Sequence, residues 1–303
     1  MKAALFIALG IFTGGFILIW ALEARKSPGK LEAPKPIDYL LGLGINFLDT
    51  LGIGSFATMS ACFKLFGLVR DEQIPGTLNA AATIPGVTEA FIYIAVVNVE
   101  VTTLVSMIAA SVVGAWLGAG VVSRWPRRKI QIGMGLALLA TAGFGLATQL
   151  NLLPGGGDKL GLTGSKLLIA VAANLVLGAL MTLGIGFFAP CMMVIFLLGM
   201  NAKAAFPIMM GSVAFLGPVA SIPFIKRGAY NFRTSLGLTL GGIPGVLLAA
   251  FLVRSLPLGA VRWLVIAVVL YTALMMLRSA AIERAAAKAK LTPASEIPVN
   301  ASD

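Results

Sequence analysis

Runs of about 20 apolar residues, each long enough to cross a bilayer as a helix, recur along almost the whole of this 303-residue chain. They fall near 3–22, 37–66, 75–97, 101–122, 130–150, 166–200, 204–224, 234–253 and 260–280. In hydrocarbon every backbone N–H and C=O needs a partner within its own segment, so the runs predict an all-α polytopic membrane protein. Composition agrees: 58% of residues are hydrophobic and 12% charged, against about a quarter charged in soluble domains.

The net charge of +11 does not argue for a nucleic-acid partner. Its clusters, Arg124-Trp125-Pro126-Arg127-Arg128-Lys129 and Lys226-Arg227, sit between apolar runs. There they set topology and meet anionic headgroups, and no soluble domain presents a basic face. The absence of histidine excludes a His-ligated metal and a Ser-His-Asp triad. No metal, cofactor or enzymatic activity is expected. Cys62 and Cys191 lie inside apolar segments and read as small packing residues rather than redox groups.

An internal repeat organises the chain. TLGIGSFA at 50–57 returns as TLGIGFFA at 182–189, 132 residues on. Gly67 and Gly199, then Pro75 and Pro207, keep that spacing, and Gly114 with Gly245 and Pro126 with Pro257 follow one residue short of it. A nearly constant offset means duplication. The expected domains are an N-terminal membrane helix and basic linker (1–36), repeat one (37–150), a central loop (151–165), repeat two (166–282) and a disordered tail (283–303). The first apolar run exceeds the roughly 7–15 residues of a signal-peptide core and reads as a retained anchor.

Each repeat opens with a long apolar segment interrupted by Leu-Gly-Ile-Gly, at 37–66 and 166–200. Such a segment either crosses as a broken helix or dips in and returns. If both return, about three quarters of the 23 lysines and arginines collect on one side; if both cross, the split is nearly even. The positive-inside rule therefore favours re-entry, with seven crossings, inverted repeats, an outside N-terminus and a cytoplasmic C-terminus.

Unwound backbone at membrane depth is tolerated where protein or a watery cavity satisfies it. Two equivalent breaks point to a paired site, since the first N–H groups of each following half-helix suit an anion. The alternative is that these glycines serve close packing or a kink. The candidate substrate-binding residues are Thr50, Gly52, Gly54, Ser55, Thr182, Gly184 and Gly186, with Asn79 and Ser212 on the helices that follow. Bulk at Gly54 or Gly186 is expected to hurt binding more than folding, whereas Gly118 lies in a plain spanning segment.

Asp49 and Glu89 are intramembrane acids, costly at that depth and hence candidates for a coupling proton. The other readings are a cap on the half-helix for Asp49 and a buried structural partner for Glu89. Repeat two offers Met181 and Ser221 at those positions. Lys64, near the end of its half-helix, is expected to snorkel.

Leu51-Gly52-Ile53-Gly54, Leu183-Gly184-Ile185-Gly186 with Pro190, Asn98-Val99-Glu100 and Gly228-Ala229-Tyr230-Asn231-Phe232 carry a likeness over residues 37–280. This doubled pattern resembles the sulfite exporter TauE/SafE family, also called toluene-sulfonate uptake permeases. The resemblance implies movement of sulfite, sulfonates or related organosulfur anions across a bacterial inner membrane. The family's GxGGG core reads GIGSF and GIGFF here, so Ser55 and Phe187 stand where glycine would leave room. The expected function is secondary transport of a small sulfur oxyanion or sulfonate by alternating access, with the bilayer and a small anion as partners and a homodimer compatible. A passive anion channel, and a membrane thiol enzyme or assembly factor using Cys62 and Cys191, are the alternatives.

Overall fold

The computed structural model describes residues 2–26, 32–51, 53–152, 157–252 and 259–291. Among the described residues eleven α-helices follow in order: α1 (Lys2–Arg25), α2 (Pro36–Thr50), α3 (Ser55–Leu65), α4 (Ile74–Val96), α5 (Val101–Val122), α6 (Arg127–Gln149), α7 (Gly164–Met181), α8 (Phe188–Leu197), α9 (Ala202–Lys226), α10 (Phe232–Leu252) and α11 (Gly259–Leu291). A 3-10 turn at Asp71–Gln73 precedes α4. Helices α1, α4, α5, α6, α7, α9 and α10 are long and apolar enough to cross a membrane, and within α11 the apolar stretch is Val269–Ile282. The chain is a multi-pass membrane protein. The tail expected to be disordered from Glu283 continues as helix to Leu291, its alanines and lysines being good helix formers. Residues 292–303 lie outside the described residues.

Helix starts follow local chemistry. Pro36 occupies the first turn of α2 and Asp38 Oδ2 accepts from the Lys35 backbone N–H at 2.8 Å. Glu100 caps α5 through the backbone N–H groups of Thr102 and Thr103 at 2.8 and 2.7 Å, and Asn201 caps α9 through Lys203 N–H. Pro85 lies inside α4 and removes the N–H that would reach the Ala81 carbonyl. The Thr239 hydroxyl of α10 donates to that carbonyl instead, at 3.2 Å, which is how a proline survives in a membrane helix.

The core lies where α4 packs along α9, both largely buried, while α1 lies on the periphery against them. Small residues set the closest seams, because without a hydrophobic drive between helices in lipid, backbone approach is what packing gains. Gly114 of α5 faces the Leu175 carbonyl of α7, and at the matching repeat positions Gly245 of α10 faces the Leu43 carbonyl of α2. Gly118 is not a plain spanning glycine: a Cβ there would stand 2.5 Å from the Ala179 carbonyl and 2.7 Å from Thr182 Oγ1. Helix α6 packs mainly along α11.

Contacts at the helix ends fix where the broken segments begin and finish. Arg233 of α10 approaches Asp38 at 3.6 Å, and Gln73 donates to the Tyr230 carbonyl at 3.1 Å. Both ends of the first broken segment thus meet the start of α10. For the second, Gly157 N–H donates to the Met200 carbonyl at 2.9 Å, Asn201 N–H to that of Lys159 at 2.8 Å, and Glu100 N–H to that of Leu160 at 2.8 Å. Its two ends bond to each other, and the Leu160 end bonds to the start of α5.

Candidate functional site

Helix α2 stops at Thr50 and α3 starts at Ser55, with Gly54 between them at φ 93°. Helix α7 stops at Met181 and α8 starts at Phe188, with Gly184 at φ 105°. An L-residue in that left-handed region pays roughly 1–2 kcal/mol, so glycine is dictated at both. Although far apart in sequence, the two breaks line one cavity of about 50 Å3. Asp49, Ile53, Gly54, Ser55, Phe56 and Ala57 form one wall, and Met181, Gly186, Phe187 and Phe188 the facing one. Thr141 of α6 and Val213 of α9 complete it.

The first turn of α3 and the first residue of α8 thus border the same small space, where a half-helix presents N–H groups without intrahelical partners. Among the described residues no lysine or arginine lines it. Asp49 is 5% exposed; its Oδ1 has no hydrogen-bond partner, while the Ser55 backbone N–H and hydroxyl approach the carboxyl. Asp49 thus stands beside the first residue of α3, in the cavity wall.

Behind it lies a buried polar cluster. Thr50 Oγ1 is 2.8 Å from both the Asn46 carbonyl and Glu89 Oε1, Tyr93 donates its hydroxyl hydrogen to the Thr50 carbonyl at 2.7 Å, and Glu89 Oε2 has no partner. That carbonyl lost its helical partner at the break, so Tyr93 supplies what the interrupted backbone lacks.

Of the sequence candidates, Gly54, Ser55, Gly186 and Asp49 line the cavity. Thr50, Thr182, Gly184, Asn79, Ser212 and Glu89 do not. The Thr182 hydroxyl donates back to the Ala179 carbonyl at 2.7 Å, as threonine does near a helix end, and Thr50 turns to Asn46 and Glu89 in the same way. Gly184 packs near Met134 and Leu78. Asn79 donates to the Pro75 carbonyl at 2.8 Å and stands 3.5 Å from that of Thr182. Ser212 lies beside Asn174, whose amide donates to the Met107 carbonyl. Gly52 lies outside the described residues. Sequence reading missed Thr141: one threonine in an apolar helix carries no signal until α6 is placed against the breaks.

One other expectation changes. Lys64 does not snorkel but donates to both Asp71 oxygens at 2.8 and 2.9 Å, and Asp71 also accepts from Gln131 at 2.9 Å and meets Arg127 at 3.3 Å. This network ties the end of α3 to the start of α6. Cys62 and Cys191 are both free thiols, and Cys191 is buried with Sγ 3.5 Å from Asn174 Oδ1.

A family model described as sulfite exporter TauE/SafE matches residues 1–144 and 167–299. The match takes in α1, which the sequence likeness left outside. No curated protein matches the chain, and no solved structure does.

Proposed function

The chain belongs to the sulfite exporter TauE/SafE family, and from that premise we propose that it is a secondary transporter of a small sulfur oxyanion or sulfonate, such as sulfite, taurine or sulfoacetate. One observation carries this reading: two breaks from distant parts of the chain converge on one small cavity bordered by two half-helix N-termini. Such termini bind anions through backbone N–H groups and the helix dipole. The modest volume suits a small oxyanion.

In this reading the two broken segments are re-entrant hairpins entering from opposite faces, and the repeats are inverted. The contacts that return both ends of 35–73 to the start of α10, and the hydrogen bonds that join the two ends of 157–201 to each other, support it, as do the reciprocal Gly114–Leu175 and Gly245–Leu43 seams. Transport then proceeds by alternating access of one part of the bundle against another around a fixed site. The face carrying Arg127, Lys226 and the C-terminus is cytoplasmic in a bacterial inner membrane, by the positive-inside rule. Cysteines introduced at Arg127 and Lys226 should stay unmodified by an impermeant thiol reagent applied from the periplasm; labelling of either would break this topology.

Asp49 and Glu89 are the coupling residues of the proposal. With no cation among the described residues of the cavity wall, an anion beside an ionised Asp49 would be repelled, so a proton on the carboxyl accompanies the substrate. The Thr50 hydroxyl has one hydrogen and two acceptors at 2.8 Å. Both contacts are hydrogen bonds at once when Glu89 supplies the second proton.

Gly186 provides the cleanest test of the site. It lines the cavity, and a Cβ there meets nothing within 4 Å, so Gly186→Val adds bulk from a position with open space around its Cβ. Losing one charge-assisted hydrogen bond of about 1.5–3 kcal/mol would lower calorimetric affinity for the best-binding sulfonate or sulfite roughly ten- to a hundredfold. Gly143→Val, in open space on α6, is the control. Equal affinity in both variants would remove the cavity as the binding site. A passive channel sharing this pore would show uptake that neither saturates nor accumulates substrate.

A further inference from the structure

Away from the cavity, a groove of about 670 Å3 runs between the last turns of α5 and α9 on the outer face of the bundle. Its walls are apolar, with Trp116 and Val121 on one side and Ile222 and Pro223 on the other. Trp116 is 64% exposed. Gly120 opens the floor, since a Cβ there would meet nothing within 4 Å.

At the membrane-surface end the groove runs into three exposed cations, Arg124, Lys226 and Arg227. Arg227 donates to the Ser123 hydroxyl. Among the described residues none of the three forms an ion pair with a carboxylate. Scattered basic residues at a membrane surface need no special partner. Here an apolar groove leads to three cations without an ion-paired carboxylate among the described residues, which is the form of a headgroup site between membrane helices.

We propose that this groove binds one anionic phospholipid, its acyl chain lying along the α5–α9 seam and its phosphate held by Arg124, Lys226 and Arg227. Charge complementarity selects the occupant. A zwitterionic lipid brings its own cation against three others, and a second copy of this chain would need a carboxylate-bearing ridge to do the same.

The test is native mass spectrometry on delipidated full-length protein titrated with phosphatidylglycerol, with phosphatidylcholine of identical chains, and with glycerol phosphate as headgroup alone. Wild type should retain one phosphatidylglycerol and neither of the others. Arg124→Gln/Lys226→Gln should weaken retention about tenfold or more, since each surface cation contributes about a factor of five. Gly120→Phe should weaken it comparably by filling the floor while every cation stays. Lys129→Gln, an exposed cation on α6 outside the groove, should change nothing. Equal retention of phosphatidylcholine, tight binding of glycerol phosphate alone, unchanged retention in either groove variant, or a dimer that Gly120→Phe dissolves would each overturn the proposal.

Discussion

At the first break the freed Thr50 carbonyl accepts from the Tyr93 hydroxyl at 2.7 Å, with Asp49 and Glu89 buried beside it. At the second, the Thr182 carbonyl is met by the Asn79 amide at 3.5 Å, and Met181 and Ser221 occupy the matching sequence positions. The outer ends differ as well. The first segment is pinned by side-chain charge, through Lys64, Asp71, Gln131 and Arg127. The second is pinned largely by backbone, through the bonds of Gly157 with Met200 and Asn201 with Lys159. The same backbone device thus occurs twice with titratable chemistry on one copy alone. In the proposed function, N–H groups from both breaks serve the anion, whereas the proton needs a carboxyl at just one of them.

The sharpest way to break this contrast is to remove the acids. Asp49→Asn or Glu89→Gln should abolish pH-driven accumulation in proteoliposomes while leaving substrate binding measurable, and Ser221→Ala should leave accumulation intact. Normal accumulation by both acid variants would end the proton-carrying role of the first break.

A smaller effect is expected at the outer ends. Asp71→Asn leaves Lys64, 16% exposed, without its counter-charge, and should cost about 2 kcal/mol, below the range for a fully buried pair because Arg127 is half exposed. Lys166→Met, which removes one exposed contact to the Leu198 carbonyl at 3.1 Å, should cost a few tenths of a kcal/mol. Thermal unfolding of the two variants side by side would show it; equal midpoints would mean that charge does not hold the first segment's end.

The smallest effect concerns the helix caps outside the membrane. Glu100 caps α5, and hydrogen bonds from Thr103 pull its carboxyl from the usual 4.5 down to about 2. A folded value below the unfolded one stabilises above the unfolded value and is lost as pH falls toward 2. Asn231 accepts from the Thr234 N–H at the start of α10 and does not titrate. Acidification from pH 5 to pH 2 should therefore lower amide protection in the first turn of α5 and spare that of α10. Loss at both starts, or at neither, would remove the distinction.

Several features were open to reading before any coordinates. Apolar run length located the long apolar helices, because a bilayer imposes one length on every span. Self-similarity at a fixed offset located both breaks, because a glycine pair in an apolar segment is costly wherever the chain does not need it. Which neighbours face those breaks was not legible. Thr141, Val213 and Tyr93 look like any residues of apolar helices, since hydropathy is nearly uniform around a buried membrane helix and gives no facing. Thr50 and Thr182, read as ligand donors, spend their hydroxyls on nearby acceptors, a choice made by rotamer and neighbours rather than spacing. Lys64 found Asp71 because the turn after α3 brings the acid back to it, seven residues on. Composition and periodicity act locally and are written in the chain; the cavity arises from packing between segments more than a hundred residues apart, and it exists only once helices with indistinguishable apolar faces have settled which of them touch.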